Sequence, residues 1–428
     1  MDNLKNLTCL VYDNGSNVCV AERLAKDFGK VYYYLVWAQN GFPERNTYQI
    51  GRNIPEIERI DFFWEYVDKK KPDGSPLIDL FVFTDVFTAD IATHLKNTGR
   101  TVFSAFYGEQ LELYRGKLKQ LISALNLDVN PYQQIKGVDP LLEFLDDKTD
   151  QFVKLDMFRG TSETMHWINK DLSYYDFINL KSKLGPLSEE QVFLVEGRIK
   201  GVEPGIDTVC VGGKYPKWVS AGLEEKDSSY LAKMCEYAKL PKELTGITDA
   251  LSETFAGFHY AGLFSTEVII TDKHKSYFID STNRIPEPPG SLQQLWWKNY
   301  SLIVLSAAQG KVLDPEFDDL YGVEIIIHSE KAEKSFQAVL FPEKYKDYIK
   351  LKNFTIINGM YYVIPTSVEL QEIGAVVATG KTLEAAINKA KQICTEIQGD
   401  GLSFPVEKID NGLKKIKELD KLGINFFV

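Results

Sequence analysis

The chain has 428 residues, 44% of them hydrophobic and 25% charged, a soluble globular composition long enough for roughly two or three domains with cores of their own. A net charge of −11 excludes a nucleic-acid backbone as the main partner, because phosphate binding needs clustered Lys and Arg. Cys9, Cys19, Cys210, Cys235 and Cys394 are scattered without CxxC spacing, which argues against a disulfide framework or a zinc site and fits a reducing, cytoplasmic setting.

The first residues, MDNLKNLTCLVYDNG, lack a signal-like apolar core, and no later run is long enough to cross a membrane. LTCLVYD is a strand-like apolar run, followed by Asn14-Gly15-Ser16-Asn17, the helical pattern VCVAERLAKDFG and a second strand, KVYYYLVW. This is a βαβ unit with a right-handed crossover. The pattern recurs in IDLFVFTD, FTADIATHLKNTG and RTVFSAF. Residues 1–110 therefore read as an open parallel α/β domain, whose ligands bind beyond the carboxyl ends of the strands, at Asp13-Asn14 and Thr84-Asp85. The plainer reading of DNGSN is a βα turn with a helix cap. A complete GxGxxG is absent, which argues against a dinucleotide-binding dehydrogenase.

From Gly108 the texture changes. GEQLELYRGKLKQLISALNL carries Leu111, Leu118, Leu121, Ile122 and Leu125 at helical spacing, with Arg115, Lys117 and Lys119 on the remaining face. Asp139-Pro140 offers a cap and a first-turn proline for PLLEFLDD. QFVKLD and EEQVFLVEG follow as strands, IDTVCVGGKYPKWVSAG as a hairpin turning at Gly212-Gly213, and Ser228–Tyr237 and Ile247–Phe258 as helical stretches. The last hundred residues mix the strands YGVEIIIHS, YYVIPTS and IGAVVATG with an amphipathic helix that opens at a Thr382 cap. Domain bounds of 1–110, 111–320 and 321–428 follow.

Chemistry concentrates in the middle segment. STEVIITD and SYFIDSTNR form a hairpin in which a turn at Lys273-His274 opposes Glu267 to Asp280 and Ile269 to Phe278. Opposed carboxylates repel, and their neighbours are apolar, so a cation is needed between them. Oxygen ligands beside phosphates favour magnesium; the alternative is an edge hairpin whose acids meet only water. Lys154 lies in an otherwise apolar strand and needs an anion, either a phosphate or Asp156 nearby. Glu196 ends a strand and Glu203 follows across a loop, which offers two acceptors for an amine and for ribose hydroxyls or is simply an acidic surface loop. Asn283-Arg284 follows Asp280, and an arginine fork there can hold a carboxylate or stabilise a transferring phosphoryl group. The five histidines are isolated, so neither a histidine-bound metal nor a serine-histidine triad is indicated.

This order of elements resembles the ATP-grasp superfamily, and is similar in layout to its phosphoribosylamine-glycine ligase type. IDLFVFTD with RTVFSAFYGEQLEL, and IGAVVATGKTLEAAINKAKQI, are similar to that family's entry into and exit from the grasp fold. The resemblance implies an α/β and α+β multidomain protein: an ATP-grasp fold preceded by an open parallel α/β domain and followed by a small α+β domain. It further implies ATP and Mg2+, with Lys154 and either Arg115 or Lys117 at the phosphates, Glu196 near the adenine amine and Glu203 at the ribose. Glu267 and Asp280 are then the metal ligands. The family's E-x-N-x-R is here Asp280-Ser281-Thr282-Asn283-Arg284: aspartate replaces glutamate, threonine takes the asparagine position, and Asn283, displaced by one, is the candidate third ligand. Arg284 is in register as the catalytic arginine. The phosphate loop, MFRGTSET, keeps only Gly160, with Arg159, Thr161 and Ser162 as substitute donors.

An ATP-dependent carboxylate-amine ligase follows, acting on a small-molecule carboxylate and amine through an acyl phosphate. Asp13, Asn14, Thr84, Asp85 and Glu287 are the substrate candidates. A homodimer is compatible with that layout. The alternative is a degenerate ATP-grasp protein that binds nucleotide or a partner without ligation.

Overall fold

The computed structural model describes residues 4–36, 46–157, 164–365 and 372–427. Thr8–Asp13 (β1), Lys30–Leu35 (β2), Glu58–Ile60 (β3), Leu80–Phe83 (β4) and Val102–Phe103 (β5) form a parallel sheet in the order β3-β2-β1-β4-β5. Every residue of β1 and β4 is buried, as expected of central parallel strands covered on both faces. Val18–Ala25 (α1) and Ala89–Asn97 (α3) are the anticipated crossovers; β3 and Phe63–Val67 (α2) are additions, too short to give a periodic signal.

The helical run after Gly108 breaks at Tyr114, whose φ of −106° and ψ of 69° separate Glu109–Leu113 (α4) from Arg115–Ala124 (α5). Tyr132–Lys136 (β6), Gln151–Leu155 (β7), Thr164–Trp167 (β8) and Val192–Gly197 (β9) form an antiparallel sheet in the order β6-β9-β7-β8. Its intervening helix begins at Val138, after Gly137 at a φ of 90°, so Asp139 lies inside the first turn and is not the cap.

The largest sheet is antiparallel. Ser276–Thr282 (β14), Ala261–Ile270 (β13), Pro204–Val211 (β10), Trp218–Glu225 (β11), Ser229–Glu236 (β12) and Tyr321–Ser329 (β15) are successive neighbours, continued by the strands Glu372–Gly380 and Ile349–Leu351. The ladder passes from β12 to β15 without interruption, so residue 320 falls between strands of one sheet. One expectation fails here: Ser229–Glu236 is a central strand and not a helix. SYLAKMCE has helix-forming Leu, Ala, Lys and Met, but it fills the gap between β11 and β15, and sheet pairing there overrides local propensity. The Gly212-Gly213 turn is present, both residues having positive φ, and a Cβ on Gly213 would lie 1.9 Å from the Ser252 carbonyl oxygen. Thr382 caps the helix Leu383–Glu396, its hydroxyl accepting from the Ala385 amide at 3.1 Å.

Candidate active site

β13 and β14 pair with Glu267 directly opposite Asp280. Beyond that pair the register shifts by one, so Val268 meets Phe278 and Ile269 meets Tyr277 in place of Phe278. A bulge adds local twist at such a point. The two side chains are 27% and 24% exposed, so the carboxylates are neither sealed in the core nor free in solvent.

A wall of basic side chains flanks Asp280. Arg115 Nε lies 3.4 Å and Lys154 Nζ 3.7 Å from its Oδ2. Burial pushes the Asp280 carboxyl up, but Lys154, Arg115, Lys119 and the Ser281 amide outweigh it and hold the group at about 2. Lys154 also reaches Glu196 at 3.9 Å and donates to the Ile279 carbonyl at 3.2 Å. Its partners are therefore across the cleft, and the local pair with Asp156 is not formed. Glu196 is buried, 2.9 Å from Lys119 and 3.2 Å from Asn130 Nδ2. Burial lowers the Lys119 ammonium below its usual range, while Glu196 acts against the shift.

Lys119, placed by the sequence on the basic face of the helix but given no role there, joins the site, and the helical period could have singled it out. Arg115 and Lys119 are one turn apart on α5 and both buried, whereas Lys117 is exposed on another face with its ammonium over the Tyr114 ring. Of the two, Arg115 lies beside Asp280, and Lys117 lies over Tyr114 instead.

Asn283 does not join the carboxylates. Alternation along the strand turns Asp280 and Thr282 to one face and Ser281 and Asn283 to the other; Asn283 is 0% exposed, and its Nδ2 donates to Ser281 Oγ at 3.0 Å. Thr282 is the polar side chain left beside Asp280. Arg284, 11% exposed, is already engaged: its Nε lies 2.9 Å from Glu112 and 3.5 Å from Asp85. Glu112 also accepts from the Asn283 amide at 2.7 Å, tying α4 to the end of β14.

The front-domain candidates separate into two kinds. Asp13 is 1% exposed and accepts from the amides of Gly15 and Asn17, the side chain of Asn17, Tyr33 Oη at 2.7 Å and Thr84 Oγ1 at 2.6 Å. Asp13 and fully buried Thr84 are thus engaged in organising the loop between β1 and α1. Asn14 is half-buried and donates to Asp85, which leads to Arg284. Glu287 accepts from Ser291 Oγ at 3.0 and 3.1 Å, and burial raises it against the pull of Lys352.

Glu203 faces Glu267 from the loop before β10; burial and Glu267 raise its carboxyl, with Lys226 opposing. Arg159, with Gly160, Thr161 and Ser162, lies outside the described residues. The opposed pair, with Asp280 held ionised, fits a magnesium ion whose remaining ligands are phosphate oxygens. Among the described residues no group of three or more His, Cys, Asp or Glu forms a metal cage by itself.

No family model matches the chain, and no curated protein does. Solved structures match it over nearly its whole length. Phosphoribosylamine-glycine ligase from Thermotoga maritima is 13% identical, with 93% of this chain and 99% of that one covered at a TM-score of 0.65. The biotin carboxylase domain dimer of Hydrogenobacter thermophilus 2-oxoglutarate carboxylase, in complex with MgADP, ADP and bicarbonate, is also 13% identical, with 98% of each chain covered at a TM-score of 0.66. An ADP complex of N5-carboxyaminoimidazole ribonucleotide synthetase, 13% identical, covers 91% of this chain and 96% of its own at a TM-score of 0.56. The chain has the ATP-grasp fold behind a parallel front domain, as its sequence led us to expect. No helix among the described residues is long and apolar enough to cross a membrane.

Proposed function

We propose that the protein is an ATP-dependent carboxylate-amine ligase that forms an amide through an acyl phosphate and uses Mg2+. The observation that carries this reading is the arrangement of charge in one cleft: Glu267 and Asp280 side by side, with Arg115, Lys119 and Lys154 on the flank of Asp280. A metal-nucleotide presents the complementary pattern, a cation and a row of phosphate oxygens.

Lys154 and Arg115 lie where they would orient the phosphates and offset their charge, and Glu196 holds Lys119 and Lys154 in place for that task. Glu267 and Asp280 would hold Mg2+, which when bound offsets charge on the β- and γ-phosphate oxygens. An oxygen of the substrate carboxylate attacks the γ-phosphorus, the bond to the bridging oxygen breaks, and ADP leaves. The amine nitrogen then attacks the acyl carbon, loses a proton, and expels phosphate. Neither step needs a nucleophilic side chain; positioning and charge stabilisation supply the acceleration. All five cysteines are buried free thiols, which supports a cytoplasmic setting. Arg284, held by Glu112 and Asp85, serves as a tie between the front domain and the metal strand. Asn14 and Glu287 remain the candidates for contact with the amine.

The pairing of Arg284 and the threonine at position 282 favour a second reading, nucleotide binding without ligation. A panel of amino acids and amines assayed for magnesium-dependent ADP release separates the two. Turnover with a substrate pair supports the ligase, whereas tight nucleotide binding with no ADP release from any pair supports the second reading.

A further inference from the structure

Lys226 belongs to the turn between β11 and β12, and sequence reading assigns it nothing. Its Nζ lies 3.1 Å from Glu224 Oε2 and 3.6 Å from Glu267 Oε1, and Glu203 acts on the same ammonium. The sheet register explains why three glutamates meet there. Gly205 pairs with Glu267 on one side and with Gly222 on the other, so those three positions share a face. Glu203 precedes Gly205 by two residues and Glu224 follows Gly222 by two, which returns both side chains to that face. Gly205 and Gly222 put no side chain between them, and the Tyr230 ring packs over Gly222.

We propose that Lys226 stands in the place of a second divalent cation, so that the cleft takes one ion, between Glu267 and Asp280. This inference rests on the reading of those two residues as the metal pair. Three carboxylates on adjacent strands are a set of hard oxygen donors that repel one another unless a cation lies among them. The ammonium supplies that cation from within the chain, and among the described residues the carboxylates form no metal cage by themselves. On the other side of the pair, Arg115, Lys119 and Lys154 gather around Asp280 and Glu196, so that flank is cationic and suits phosphate rather than another metal. Lys226 is 62% exposed and approaches from the open side of the cleft, so its removal leaves the sheet intact.

The test is a count of bound Mn2+ by electron paramagnetic resonance on the full chain with one equivalent of β,γ-imido-ATP. The wild-type protein should hold one ion per chain even at high Mn2+, Lys226→Met should hold two, and Lys226→Arg, which keeps the charge, should return the count to one. Two ions in the wild type, or one in Lys226→Met with an unchanged unfolding temperature, overturns the role of Lys226. Glu267→Gln tells that failure from a deeper one: if it leaves the wild-type count unaltered, the metal pair itself is misassigned and the role of Lys226 falls with it.

Discussion

Asp13 at the end of β1 and Asp280 two residues from the end of β14 have opposite fates. Asp13 closes β1 and accepts from amides and hydroxyls of its own domain, all neutral donors, until no oxygen is left to exchange. Asp280 lies near the end of β14 and faces cationic side chains carried by α5 and β7, at separations of 3.4 and 3.7 Å, with a quarter of its side chain still exposed. The first arrangement is a closed network that fixes a loop, because a buried acceptor with every donor in place gains nothing from a ligand. The second is a set of charges brought together from separate elements, into which a metal-nucleotide would exchange on the proposed reading. Strand-end position alone therefore does not mark an acid as functional; the sign and the origin of its partners do.

The contrast breaks first at Asp280. Asp280→Asn should lower magnesium-dependent ADP release by about 10²- to 10³-fold, as expected on losing a group that organises charge at a transferring phosphoryl, while the urea midpoint changes little. Intact turnover in that variant would remove the pair from the mechanism. Asp13→Ala should do the reverse, costing about 2–4 kcal/mol in urea unfolding because Thr84, Tyr33 and the loop amides lose their acceptor, with kcat of the folded fraction preserved.

Smaller effects sharpen the comparison along the cationic wall. Lys119→Met should weaken nucleotide binding about tenfold, or roughly 1.4 kcal/mol, whereas Lys117→Met should leave it unchanged in the same titration calorimetry. Equal losses in both would contradict the assignment of one face of α5 to the cleft.

The smallest expected effect is a pH slope. Burial between β10, β12 and β13 pushes Asp207 from 3.8 to about 7, against the hydrogen bonds from Ser265 and Tyr230. The folded state then keeps a proton that the unfolded chain releases, so stability falls as pH rises from about 4 to about 7. Asp207→Asn should flatten that part of a melting-temperature profile. An unchanged slope would show that Asp207 holds no extra proton in the folded state.

Much of this was legible in the chain. The βα repeats of the front domain, the Glu267-Asp280 opposition, the turn at Gly212-Gly213 and the cap at Thr382 all rest on local pattern, and local pattern is what periodicity and turn chemistry report. Ser229–Glu236 was illegible because its helix formers are outweighed by two neighbouring strands that lie far away in sequence. Lys119 could have been read from its spacing to Arg115, but Glu112 carries no signal of its contact with Arg284.

By itself, then, the sequence determined which residue types stand on which face of each element: paired acids on a hairpin, a lysine in a strand, bases one turn apart on a helix. These follow from backbone periods of 2 and 3.6, which need no knowledge of the rest of the fold. Only the tertiary structure decided which charges meet. It brought Lys154 to Asp280 and Glu196, turned Asn283 inward, closed Asp13 off, and placed Lys226 among three glutamates. Those encounters depend on strand order and register across the sheets, and most of these partners, a few ångströms apart in space, are tens to hundreds of residues apart along the chain.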